Sequence, residues 1–434
     1  MIRDRLQDLM DWRDDPYRKP LILKGCRQVG KSWLVQEFGK QFESYIEINF
    51  EKNKSVHTYF SSDLTLSTIL EKISLLTNRK IEAGKTLLFF DEIQACEGAI
   101  QSLRYFKEEM PELHVIAAGS LLDFALNKIG VPVGRIQFMH LYPLSFAEYL
   151  TVLGEGDIRQ FIYKQENDSV LHQRLLEHLK HYMLLGGMPA VINAWMADRD
   201  YEICQRIQDE IIESYQIDFY KYAKQRELPY VTKVFEMIPA MLGRKFKYSQ
   251  VDDTIRSEHI KNALNLLEVA GIAKPCFHTA AQLSPLGAQQ NEKNFKVFYF
   301  DIGIAQRLLG LNIKEWLLNP LQIANQGEIA EQFVAQELLA YSDFRKIGKL
   351  YYWHREAKSS NAEIDFIIMK NGHIVPAEVK SSNKGSMKSM AVFLESHLNS
   401  TYGLKISEGQ FAQHGRIVEI PLYALESWLA EDKV

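Results

Sequence analysis

The chain has 434 residues, 46% of them hydrophobic, with 51 Lys and Arg set against 55 Asp and Glu. That balance describes a folded globular protein of about three domains, at roughly 150 residues each, and excludes disordered, collagenous and membrane-spanning classes. A net charge of -4 excludes a globally basic nucleic-acid binder and leaves local basic patches as the route to nucleic acid. Cys26, Cys96, Cys204 and Cys276 are scattered, with no short pair and no histidines at metal-finger spacing, so neither a disulfide framework nor a structural zinc site is expected. The charged start, Met1-Ile-Arg-Asp-Arg, and the lack of an apolar run near the ~18 residues of a membrane span predict a cytoplasmic protein without a membrane segment.

Leu21-Ile22-Leu23 reads as a short buried strand, and Trp33 to Phe38 continues at helical spacing. Between them lies Gly25-Cys26-Arg27-Gln28-Val29-Gly30-Lys31-Ser32, which fits the phosphate-binding loop G-x-x-x-x-G-K-[ST] in the strand-loop-helix context that the motif requires. The two glycines let successive backbone N–H groups turn inward around phosphate oxygens, and the new helix adds its positive N-terminus. Lys31 is then placed to bridge the β and γ phosphates of ATP, and the Ser32 hydroxyl to hold Mg2+.

A phosphate site of this kind needs an acid at the end of a buried strand, and Thr86-Leu-Leu-Phe-Phe-Asp91-Glu92 supplies two. Asp91 is the Mg2+ ligand and Glu92 the general base that polarises water, a pairing that points to hydrolysis. A third apolar strand, His114 to Ala118, runs into Gly119-Ser120, where Ser120 is either a sensor of phosphate state or a helix cap. Arg135 either reaches a phosphate, in this subunit or a neighbour, or pairs with a surface acid.

These motifs, with Gly134-Arg135 through Pro143-Leu-Ser-Phe-Ala-Glu148, resemble the bacterial and archaeal AAA+ ATPases that carry a C-terminal domain of unknown function. Gly186-Gly-Met-Pro189, Phe298-Tyr-Phe-Asp301-Ile-Gly303 and Glu378-Val-Lys380 match the same family, so the resemblance covers nearly the whole chain. It implies an α/β protein with a P-loop AAA+ core over 1–142, a helical lid over 143–224, a winged helix over 225–320 and a nuclease-like domain over 321–434. It also implies ring-like homo-oligomers in which one subunit's Arg completes the next subunit's site. The chain then reads as an ATP-binding, ATP-hydrolysing protein coupled to a nuclease-like domain acting on DNA. The alternative is a nucleotide-dependent switch that engages a protein partner, with the nuclease-like domain inactive.

Residues 143–224 show helical periodicity, broken at Gly186-Gly187 and Pro189. His172, His178 and His181 lie close together there, but no acidic or cysteine partner at matching spacing completes a metal site, and surface or core histidines are the favoured reading. Farther on, apolar helices over 231–242 and 257–271 precede strands over 272–277 and 296–300, the order of a winged helix-turn-helix. Ser257 is the expected cap of its last helix. That helix offers Arg256, Lys261, Asn262 and Asn265 to a nucleic acid, offset by Glu258 and Glu268, so a structural or protein-contacting role is favoured, with Arg244, Lys245 and Lys247 left for unspecific phosphate contacts.

In the C-terminal quarter, Asn371-Gly372 between apolar runs predicts a two-residue hairpin. Lys370 then faces His373, and Asp365 falls opposite Glu378 with their Cβ atoms about 5 Å apart, where like charges need a compensating cation such as a divalent metal. Lys380 shares the face of Glu378 and opposes Glu363. An acid on one strand with Glu-x-Lys on the next resembles the PD-(D/E)XK nucleases, which implies Mg2+ held by Asp365 and Glu378, water oriented by Lys380, and a helix acid, Glu331 or failing that Glu328. An ordinary cross-strand ion pair between Glu363 and Lys380 remains the alternative. Pro376 marks its strand as an edge or as locally irregular.

Overall fold

The computed structural model describes residues 3–61, 65–120, 122–129, 134–311, 313–318, 326–355, 362–380 and 387–430. Two units are formed: Arg3–Tyr142 with Asp343–Ile347, and 143–342 with 348–430. In the first, β1 (Leu21–Lys24), β2 (Ser44–Asn49), β3 (Thr86–Asp91), β4 (His114–Ala118) and β5 (Gln137–His140) make a wholly parallel sheet in the order β2-β3-β4-β1-β5. The central strands β3 and β4 are buried along their whole length, as their unbroken apolar runs require. Edge strand β2 instead alternates, sending Ile46 and Ile48 into the core. Because all five strands run the same way, their carboxyl ends share one edge of the sheet, which is where such sheets bind ligands.

The second unit begins with helices Phe146–Val152, Gly156–Ile162, Ser169–Leu185, Pro189–Asp198 and Tyr201–Tyr222. The chain turns at Gly186-Gly187, and Pro189 opens the next helix, where its missing N–H costs nothing. The motifs that carried the family resemblance meet here. Ser145 and Glu148 form a reciprocal capping box at the first helix. Asp301 caps helix Ile302–Leu308 through the N–H of Ile304, 3.0 Å, and also accepts from Gly187 N at 2.7 Å. From helix Gln326–Ala340, Gln332 binds both backbone groups of Tyr299, Gln336 accepts from Ile302 N, and Glu337 accepts from Phe146 N. The three histidines have ordinary neighbours: His172 bonds Tyr423, His178 lies beside Glu155, and His181 stacks on Tyr201 and Trp195.

Helices Leu228–Met237, Tyr248–Val251 and Ser257–Val269 precede the antiparallel strands β6 (Ala273–Thr279) and β7 (Gln290–Tyr299). Ser257 is the first helical residue, with Arg256 in the cap position and no side-chain capping bond, so the helix starts one residue earlier than a Ser257 cap would have it. Lys261, Asn262 and Asn265 are exposed on that helix, as are Glu258 and Glu268. The hairpin does not stand alone: β8 (Leu350–His354) adds in parallel to β6, and β9 (Glu363–Ile364) pairs with β8, giving the order β7-β6-β8-β9.

A third sheet has the order β10 (Phe366–Lys370), β11 (His373–Lys380), β12 (Gly403–Ser407), β14 (Ile417–Pro421), β13 (Ala412–His414). Asn371 and Gly372 both take left-handed conformations, φ 49° and 78°, and Lys370 pairs with His373 as the two-residue turn demands. Pro376 fits because β12 begins its ladder with β11 only at Ala377, which leaves the proline nitrogen on an unpaired edge. One expectation is corrected. The chain bends at Asp365 and carries Glu363 onto β8 opposite His354, so Lys380 does not oppose Glu363 and instead pairs in register with Ser407.

Asp301 and Glu337 are buried, and burial pushes their carboxyl groups up, to about 6 and about 8, against the backbone donors that favour ionisation. Since these values exceed the ~4 of an unfolded carboxyl, the fold binds the extra protons: the stabilisation is complete below about pH 4 and is lost as pH rises through about 6 and about 8. Glu337→Gln is expected to flatten the upper part of that fall. Unfolding temperatures measured from about pH 5 to about pH 8 check it, and a slope identical to that of the wild type would place the proton elsewhere.

Candidate functional site

The loop after β1 is shaped by its glycines. Gly25 takes φ 151° where a Cβ would collide with the carbonyl oxygen of Leu141, and Gly30 takes φ 94° just before the helix Lys31–Gly39. The Lys31 ammonium donates to the carbonyls of Gly25, 2.8 Å, and Cys26, 2.9 Å. Burial pulls it below its ordinary value, against the attraction of Glu92 and Asp91. Ser32 Oγ donates to Asp91 Oδ1 at 3.1 Å, and Asn49 Nδ2, from the end of β2, donates to Oδ2 at 2.9 Å. Burial and the neighbouring Glu92 raise the Asp91 carboxyl, and these two hydrogen bonds act in the opposite sense.

Glu92 leaves the strand in a left-handed conformation, φ 49°, rare for a residue with a side chain and characteristic of functional turns. Its Oε2 accepts from Gln94 Nε2 at 2.5 Å and lies 3.4 Å from the N–H and 3.5 Å from the Oγ of Ser120. A Cβ at Gly119 would meet the amide end of the Gln94 side chain and displace it. Lys31, Ser32, Asp91, Glu92 and Ser120 are therefore gathered at the carboxyl ends of β1, β3 and β4. Arg135 is not among them: it precedes β5, at the amino end of the strands, and binds Glu108 at 2.9 Å.

Sequence reasoning gave no role to Asn49, Gln94 or Arg3. Arg3 is 4% exposed, and its guanidinium donates to the carbonyls of Val29, 3.1 Å, and Tyr142, 2.6 Å, so it grips the phosphate loop from behind. Nothing in its local sequence signals this, since both partners are distant in the chain.

In the second unit, Asp365 and Glu378 come together across the β10–β11 hairpin, and Val379 N donates to Asp365 Oδ2 at 2.8 Å. Lys380 lies 2.5 Å from Glu378 Oε1, whereas Glu378 Oε2 is buried with no hydrogen-bond partner among the described residues. The carboxylate of Glu331, on helix Gln326–Ala340, binds Lys296, 3.1 Å away. Lys296, on β7, is 1% exposed and also lies 2.6 Å from Glu363 and 3.8 Å from Asp365. Burial alone would lower this ammonium, but Glu331, Asp365 and Glu363 outweigh it and hold it well above its ordinary value. Burial raises Glu331, Asp365 and Glu378. Glu328 is elsewhere, 3.5 Å from Arg244. The donors of Glu331 and Asp365 thus already share an ammonium and do not fit a divalent ion placed between them, and among the described residues no group of three or more His, Cys, Asp or Glu is arranged to hold a metal.

Residues 17–150 match the family model of the AAA domain; residues 176–315 match a domain of unknown function (DUF8612), and residues 326–425 another (DUF4143). No curated protein matches the chain significantly. Among solved structures, the chain is similar to a Walker-type ATPase of Pyrococcus abyssi at 15% identity and TM-score 0.43, over 71% of this chain and 95% of that one. The Orc1 protein of Aeropyrum pernix, solved in complex with DNA, is similar at 12% identity and TM-score 0.28, over 71% and 93%. A signal transduction ATPase with numerous domains from Pyrococcus horikoshii, with a tetratricopeptide repeat sensor, is similar at 10% identity and TM-score 0.27, over 77% of this chain and 48% of that one. The family match and the phosphate-loop geometry together make the first unit a P-loop ATPase domain of the AAA type. Among the described residues no helix is long and apolar enough to cross a membrane.

Removing the Arg3 guanidinium leaves two buried carbonyls without their charged donor, at a cost of about 1–3 kcal/mol each. Arg3→Ala is expected to weaken ATP binding by about tenfold, measured by titration calorimetry, and an unchanged Kd would show that the loop holds its shape without Arg3.

Proposed function

We propose that this chain binds ATP with Mg2+ and hydrolyses it, and that nucleotide state governs how the second unit engages a partner. The observation that carries this reading is the gathering of Lys31, Ser32, Asp91, Glu92 and Ser120 at one sheet edge. The inward N–H groups from Gly25 to Ser32 bind phosphate oxygens, and Lys31 exchanges its two carbonyl partners for phosphate. Ser32 and Asp91, already oxygen to oxygen at 3.1 Å, are a fitting donor pair for Mg2+, which when bound neutralises phosphate charge. Glu92 accepts a proton from the attacking water; Gln94 and Ser120 both bind its Oε2, which leaves Oε1 for that proton and links Ser120 to the base.

Lys31→Ala is expected to abolish nucleotide binding. Glu92→Gln is expected to keep binding while lowering kcat by about 10²–10⁴-fold, the usual contribution of a general base. Steady-state turnover and ATP retention on the filter-bound protein check both, and unchanged turnover in both variants would sink the assignment.

For the second unit, engagement of a partner is favoured over cutting of DNA by one observation, the Lys296 ammonium among the acids that a nuclease would need for its metal. DNA length followed on a gel with Mg2+ separates the two readings. Intact DNA in wild type supports the switch, whereas cleavage lost in Glu378→Ala and Lys380→Ala establishes the cutting one.

A further inference from the structure

The cluster around Lys296 is assembled from three separate stretches of chain: β7 supplies the lysine, helix Gln326–Ala340 supplies Glu331, and β9 with the bend that follows it supplies Glu363 and Asp365. The ring of Tyr352 on β8 completes the enclosure, with the ammonium 5.5 Å from its centroid. A buried ammonium needs polar or charged partners at close range, and carboxylates crowded together out of water gain most from a cation. Here each supplies what the other lacks. Glu378, next in the array, has its own cation in Lys380. Among the described residues four acids stand against two lysines, and burial favours the protonated form of Glu331, Asp365 and Glu378, so loss of either lysine would leave these carboxyl groups without their nearest cation.

A divalent ion binding Glu331 and Asp365 together needs the space between them, and the Lys296 ammonium is within 4 Å of both. Ion and ammonium repel at that distance in a site shielded from water, so they compete for one position. We propose that Lys296 is the resident cation of this cluster, standing where a divalent metal would otherwise bridge Glu331 and Asp365, so that the C-terminal domain is assembled without a metal and binds one only when Lys296 is removed. This inference is independent of the ATPase reading and deepens the reading of the second unit as an engaging rather than a cutting one.

The test is binding of Mn2+ to the nucleotide-free full chain, followed by the loss of its free-ion electron paramagnetic resonance signal, in an Asp91→Asn background that silences the phosphate-loop site. With Lys296 present, no Mn2+ site that depends on Asp365 is expected. Lys296→Met should bind Mn2+ at least about tenfold more tightly, and adding Glu331→Gln should remove the gain. A folded Lys296→Met protein with no gain overturns the proposal. So does an Mn2+ site in the lysine-containing protein that disappears in Asp365→Asn, a measurement that needs no change at Lys296. Should Lys296→Met unfold in metal-free buffer, refolding on adding Mn2+ supports the proposal, and failure to refold in Mn2+ while the charge-balanced Lys296→Met/Glu331→Gln pair folds overturns it.

Discussion

Charged and polar groups taken out of water have to be answered within a few ångströms, and this chain buries many of them. Lys31 and Arg3 are answered by backbone carbonyls, Asp91 by Ser32 and Asn49, Lys296 by three carboxylates, and Asp301 and Glu337 by the N–H groups at helix starts. These answers tie together segments that are far apart in sequence. Gly187 and Asp301 are 114 residues apart, and Phe146 and Glu337 are 191 apart. An apolar core tolerates small shifts of packing, but a buried hydrogen bond has a narrow range of length and angle. The polar contacts therefore fix how each unit's elements register with one another.

What was legible in the sequence was local. The order of strand, phosphate loop and helix, the acid pair after a buried strand and the two-residue turn at Asn371-Gly372 each declare themselves within a dozen residues, because glycine conformations and apolar runs are local physics. What was not legible depended on chain paths. Lys296 looks like one more polar residue in a strand until the helix carrying Glu331 and the bend at Asp365 are brought to it. The same bend moved Glu363 from a ladder with Lys380 to a ladder with β8, which no spacing rule within the hairpin could show. Arg135 was open between a phosphate and a surface acid, and the direction of β5 sets it at the amino end of the strands, beside Glu108.

The two acid-and-lysine sites differ in a way that bears on their chemistry. In the first unit the lysine bonds neutral carbonyls, so its charge stays available for an anion, and the acids Asp91 and Glu92 are held by neutral donors. In the second unit the lysines and acids are spent on one another. A site that keeps its charges unspent is poised to act on a charged ligand, and one that has cancelled most of them is poised to hold shape.

The short stretch Asp343–Ile347 belongs to the first unit although the residues on both sides of it belong to the second, and its Phe344 carbonyl accepts from the N–H of His140 at the end of β5. Among the described residues the backbone therefore passes between the units three times, after residues 142, 342 and 347. A protease cut after residue 142 would put residues 3–142 on one fragment and leave Asp343–Ile347, which belongs to the same unit, on the other. A gene fragment ending at residue 142 would also make a sheet whose last strand has lost a backbone partner, so the ATPase domain is not a simple N-terminal piece that can be trimmed away.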